Sequence, residues 1–122
     1  MVNDKNLIVS KSYLFSLQII ELYKFLCDEK KEYILSKQLL RCGTSVGANV
    51  NESQAVMSKK DFIAKMSIVS EEARESRYWL NLLKDSGYIN AEKKKVKSLF
   101  EEIESINKIL TSIVKSGQEN AK

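Results

Sequence analysis

Histidine is absent from the sequence, and that absence decides most of what the chain can do chemically. It removes the commonest general base, the usual nucleophile–base pairs and most zinc sites. Carboxylates are what remains for acid–base or metal chemistry. Glu52 falls in one helical stretch, and Glu72 and Glu75 fall in the next. Folded back on each other, the two stretches would bring these side chains together. Paired carboxylates hold di-metal centres in helical bundles, but a Glu-x-x-His motif completes the ligand set there. Without histidine neither a metal nor another cofactor is expected. Cys27 and Cys42 form no CxxC pair and read as small buried hydrophobes kept reduced. A phosphate-cradling glycine loop is missing too, since Gly43 and Gly47 sit inside a helical pattern. No catalytic residue is assigned, and an enzyme is not expected.

Asn49, Glu52, Glu72 and Glu75 have a structural reading as a polar cluster. Asn49 and Ser53 interrupt the inward face of their stretch, and Arg41, Arg74, Arg77 and Tyr78 are available as partners. Polar groups near a bundle core must find such partners. A cluster of this kind fixes helix register or subunit pairing, as one buried asparagine does in coiled coils. Direct contact with a ligand is the competing role.

Basic residues carry the positive functional signal. Twenty Lys and Arg, mostly lysine, face 16 Asp and Glu, giving a net charge of +4. The balance by itself favours anionic partners only weakly. Its distribution matters more. In an up-down bundle the first and third connections share one end, which collects Lys24, Lys30, Lys31, Lys84, Lys93, Lys94, Lys95 and Lys97. Asp28, Glu29, Glu32, Asp85 and Glu92 oppose them and leave that end at +3. Lys11, Lys59, Lys60 and Lys115 lie at the other end. The bland reading of such runs is solvation of helix ends. The functional one is phosphate contact, salt-dependent and blind to base sequence. Lys59, Lys60 and Arg41 are the second set of candidates. Tyr33 and Tyr88 near the lysine-rich end either stack on bases or pack the helix ends.

Four helices must position these groups. In the first, expected over residues 9–28, Phe15, Ile19, Leu22 and Leu26 form one apolar stripe and Tyr13, Leu17 and Ile20 a second. One stripe suffices against a monomer core, so the second predicts contact with another chain. A polar turn, residues 28–32, leads to a second helix over 32–57, almost 40 Å long at about 1.5 Å per residue. Its glycines each cost about 1 kcal/mol relative to alanine, which implies a close backbone approach at Gly47. Ser58 caps a third helix over 59–86 whose core positions are Phe62, Met66, Val69, Ala73, Ser76, Leu80 and Leu83. Gly87 ends it with a left-handed cap. Asn90 is expected to cap a fourth helix over 91–116, with Val96, Leu99, Ile103, Ile106, Leu110 and Ile113 as its core stripe. Ser116-Gly117-Gln118 should end it, and the last residues should be disordered. The pattern predicts an all-α, antiparallel up-down-up-down four-helix bundle.

Ser45-Val46-Gly47-Ala48-Asn49-Val50-Asn51-Glu52, Ser58-Lys59-Lys60-Asp61-Phe62 and Glu72-Ala73-Arg74-Glu75-Ser76-Arg77-Tyr78-Trp79-Leu80 together resemble the bacterial four helix bundle protein family. Its members are often labelled intervening-sequence proteins of 23S ribosomal RNA. The resemblance covers roughly residues 10–115. It implies a homopentamer that binds nucleic acid, with no established enzyme activity. It assigns Asn49 and Glu52 no catalytic role.

With 122 residues there is room for one domain and one core. No apolar run approaches the ~18 residues needed to span a bilayer. The N-terminus lacks the pattern of a signal peptide, so a cytoplasmic protein is expected, with no membrane partner. The leading reading is a non-enzymatic oligomer whose repeated basic surfaces bind RNA or DNA. The alternative is a scaffold or accessory factor for another protein. Accessory proteins of diversity-generating retroelements, which pair with a reverse transcriptase, resemble this family and would combine the two. Gene neighbourhood separates these readings fastest.

Overall fold

In the computed structural model, which describes the backbone of residues 4–120 and the side chains of residues 7–117, the apolar stripes become four helices: α1 (Asp4–Asp28), α2 (Leu35–Ser53), α3 (Lys59–Asp85) and α4 (Lys94–Asn120). Each packs against its neighbours in sequence, and α1 also packs against α4. The helices therefore stand at the corners of a square, up-down-up-down, with α1 and α3 on one diagonal. The core between them is built from the expected stripes. Phe15, Ile19, Val46, Met66, Leu80, Ile103, Ile106 and Leu110 are fully buried.

Helix α1 begins five residues before the expected start. Fully buried Ile8 adds a turn to the stripe. Ser12 is buried and donates its hydroxyl to the Val9 carbonyl at 3.2 Å.

Helix α2 is shorter than expected at both ends. Its 19 residues span about 28 Å at 1.5 Å per residue, not almost 40 Å. At the C-terminal end the Ser53 hydroxyl donates to the Val50 carbonyl at 2.6 Å, and the Gln54 amide group donates to the same carbonyl at 3.3 Å. Gln54 N–H turns back to the Asn51 carbonyl at 3.2 Å and Ala55 N–H to the Glu52 carbonyl at 3.0 Å, and residues 54–57 leave the helix. At the start, Lys31 takes a positive φ of 53°, which swings Glu32 out of the helix and beneath its first turn. The Glu32 carboxylate accepts from the backbone N–H groups of Ile34 at 3.2 Å, Leu35 at 3.1 Å and Ser36 at 2.7 Å. Three of the four orphan donors at a helix start are thereby satisfied by one side chain. Glu32 is thus a buried structural anchor, not part of the solvated turn.

Burial opposes the charge on Glu32, but these donors outweigh it and hold its carboxyl below the usual carboxylate range. A depressed folded value gives stability that is present above the unfolded pKa and lost as pH falls through the folded one. Glu32→Gln should cost about 1–2 kcal/mol at neutral pH by weakening the cap. Thermal melts of both proteins above and below the carboxylate range check this. The wild type should lose more stability on acidification than the variant.

Ser58 accepts from Asp61 N–H at 3.0 Å and starts α3 where expected. Gly87 ends it at φ 87°, with Tyr88 N–H returning to the Leu83 carbonyl at 2.9 Å. Asn90 does not cap α4. Its side-chain oxygen accepts from Glu92 N–H at 2.9 Å in a local turn, and the helix begins four residues later. Nor does α4 stop at Gly117, which is buried against α3. A β-carbon there would collide with Ile63, so glycine serves helix packing and not termination. Glu119 and Asn120, beyond the expected stop, continue α4 instead of being disordered, and residues 121–122 lie outside the described residues.

Candidate nucleic-acid interface

The lysine-rich end is assembled by two turns, residues 29–34 and 86–93, that meet beside the start of α4. Between α1, the second of these turns and α4 lies an open cleft of about 600 Å³. Lys30, Lys93, Lys94 and Lys95 all line it, although 63 positions separate Lys30 from Lys93. Lys93 and Lys94 make no ion pair among the described residues. Lys95 pairs with Glu21 at 3.1 Å, both ends well exposed, so the pair holds little energy. Lys30 Nζ lies 5.9 Å from the centre of the Phe25 ring. No acidic residue occupies the first turn of α4, so its positive end adds to the lysine field.

Other candidates sit differently. Lys31 and Lys97 are exposed at the same end. Lys84 turns inward, 5.4 Å from the centre of the Phe100 ring and 3.8 Å from Asp85. Tyr88 is half-buried and lines the cleft, whereas Tyr33 is exposed outside it. Lys59 and Lys60 are exposed at the far end of the bundle, at the start of α3. Arg41 is neutralised: its guanidinium donates to Glu75 and lies 3.8 Å from Glu72.

The polar residues of α2 and α3 form two groups along one seam. Arg41, Glu72 and Glu75 make the first. In the second, Lys65 reaches Glu52 at 2.7 Å and the Asn49 carbonyl oxygen at 3.4 Å, while the Asn49 amide donates to Ser45 at 2.9 Å. Lys65 was not legible in the sequence. Arg77 instead crosses to Glu104 on α4 at 3.0 Å. The Arg41 and Lys65 pairs bridge α2 and α3 at the margin of the core, where Ser36 and Ser53 of α2 and Ser76 of α3 are buried polar residues. Among the described residues no group of three or more His, Cys, Asp and Glu side chains is placed to hold a metal ion.

Cys42 is buried and Cys27 half-buried, both as free thiols. Burial pushes the Cys42 thiol up to about 11, which leaves it inert at neutral pH.

The second stripe of α1 faces away from the core. Tyr13 is 66% exposed, Leu17 46% and Ile20 37%. Leu14 and Phe25 are exposed beside it, so the apolar face is wider than the stripe read from the sequence. No helix among the described residues is long and apolar enough to cross a membrane.

A family model for 23S rRNA-intervening sequence proteins matches residues 4–112. Among solved structures, a protein of unknown function from the S23 ribosomal protein family of Bacteroides thetaiotaomicron is 44% identical, with a TM-score of 0.87. The match covers 93% of this chain and 99% of that one. No curated protein matches.

Proposed function

Because the chain belongs to the 23S rRNA-intervening sequence protein family, we propose that it is a non-enzymatic homo-oligomer that binds nucleic acid through lysine-rich ends repeated around the assembly. The observation that carries this reading is the gathering of Lys30, Lys93, Lys94 and Lys95 around one cleft with a single weak carboxylate partner. Lys31 and Lys97 extend the same field. Each phosphate neutralised there releases a counterion, and repetition of the patch multiplies contacts without new chemistry. Aromatic interleaving of the kind used to read single-stranded bases is sparse, so recognition runs through the backbone. A fluorescence anisotropy titration against single- and double-stranded RNA and DNA at low salt tests it. Saturable binding to at least one of them is expected; binding to none removes the reading.

The exposed face of α1 supports an oligomer, a pentamer on the resemblance. Leu17→Glu would place a charge on every copy of that face while leaving the core stripe intact. It should dissociate the assembly without unfolding the subunit. Light scattering after size exclusion, with circular dichroism on the same samples, checks both halves. A wild-type protein that is a 14.0 kDa monomer at tens of micromolar would end this part of the proposal.

That face also favours a second reading. A wide apolar surface on one helix suits another protein chain as well as a copy of itself. An accessory factor docked on a reverse transcriptase would use it so. Loss of nucleic-acid binding in the titration would leave this reading ahead.

A further inference from the structure

The cleft beside the start of α4 is more than a cluster of lysines. Its floor is aliphatic, made by Leu22, Ile89, Val96 and Leu99, all buried or half-buried members of the core or its margin. Lysines stand on its rim. At about 600 Å³ it falls in the range of small-molecule sites and has room for on the order of twenty waters of ~30 Å³ each. Water over such a floor is held by few polar groups, and displacing it with apolar surface is favourable.

We infer that this cleft binds an amphipathic organic anion: an aliphatic body on the floor and a carboxylate on the lysine rim. Charge complementarity selects the head group. Among the described residues Lys93 and Lys94 make no ion pair, Lys30 Nζ lies 5.9 Å from the centre of the Phe25 ring, and the acid lining the cleft, Glu21, is paired with Lys95. The start of α4, with no acidic residue in its first turn, adds the positive end of a helix dipole on the same side. The floor selects the body. Gln18, Tyr88 and Asn90 also line the cleft, but the four aliphatic side chains of the floor offer a nucleobase laid on them no hydrogen bond in place of those it gives up to water. An alkyl chain loses none. This site therefore differs in chemistry from the phosphate contacts proposed above, though the two share lysines.

Isothermal titration of the native full-length protein with decanoate tests it, alongside acetate, decyltrimethylammonium and adenosine monophosphate. Decanoate should saturate at one per subunit and bind at least tenfold more tightly than each of the other three. Methyl-labelled protein should show decanoate shifts at Leu22, Ile89, Val96 and Leu99. Phe25→Glu, at a half-exposed wall position, should keep the fold and lower decanoate affinity at least tenfold. Equal affinity for decyltrimethylammonium would show unselective apolar adsorption and overturn the proposal. Shifts confined to Leu14, Leu17 and Ile20 would overturn it too, by placing the ligand on the outer face of α1. Tighter binding of adenosine monophosphate at the same methyls would reassign the cleft to nucleotides.

Discussion

Gly47→Leu should lower the stability of the bundle by about 3 kcal/mol, despite leucine's better helix propensity. A β-carbon at Gly47 would lie 2.6 Å from the Ser16 hydroxyl and 3.1 Å from the Ser12 carbonyl oxygen. The hydroxyl can rotate away, at the expense of its 3.3 Å bond to the Gly43 carbonyl. The Ser12 carbonyl belongs to the α1 backbone and cannot yield without moving that helix. Gly43 lies one turn earlier on the same face, where a β-carbon would meet Ile19 at 2.8 Å. The two glycines thus let α1 and α2 approach at backbone range. Leucine adds three carbons beyond the clashing one and forces the helices apart along the seam that also holds Phe15 and Val46. Thermal melting checks this, with an expected drop of roughly 10 °C. Gly47→Ala should fall between the two, since its single methyl meets the same carbonyl. An unchanged midpoint for leucine would show that the helices can separate at no cost.

Replacing Lys93, Lys94 and Lys95 together with glutamine should weaken nucleic-acid binding on the order of tenfold to a hundredfold at low salt, because the loss repeats in every subunit. Stability should change by less than about 0.5 kcal/mol. The side chains are exposed, and three positive charges at the start of α4 oppose its dipole. Removing them relieves that conflict and offsets the lost Lys95–Glu21 pair. RNA and DNA of unrelated sequence should be affected alike, since phosphate contacts carry no base information. Anisotropy titrations with two unrelated oligonucleotides check this. A drop confined to one of them would mean that the lysines serve a base-reading site.

The apolar spacing made most of the fold readable. Met66, Val69, Ala73, Ser76, Leu80 and Leu83 are the buried positions of α3, and Tyr13, Leu17 and Ile20 were visible as a second face before any partner was considered. What escaped was the business of side chains with the backbone. Glu32 looked like one more charge in a polar turn. Its capping role depends on the left-handed conformation of Lys31, which no pattern in that turn announces. Gly117 read as a helix stop, because its use lies across the bundle in Ile63. The α2–α3 ion pairs were only partly legible. The carboxylates could be named from their spacing, but Lys65 gains its meaning from the crossing of two helices. Lysines could be assigned to one end from topology alone. That four of them ring an aliphatic cleft needed the two turns in place, and Glu21, the acid among them, lies 74 residues from its partner.

The central claim, that the lysine-rich end meets phosphates, is tested most directly by the dependence of affinity on salt. The measurement is the slope of log affinity against log salt concentration for the native protein and the triple glutamine variant, on the same labelled RNA or DNA. Each phosphate contact contributes about 0.7–0.9 to that slope. The native protein should show a steep negative slope, and the variant one shallower by about 2–3 for each subunit that contacts the strand. Equal slopes with binding intact would contradict the assignment and move the interface to Lys59 and Lys60 at the opposite end of the bundle.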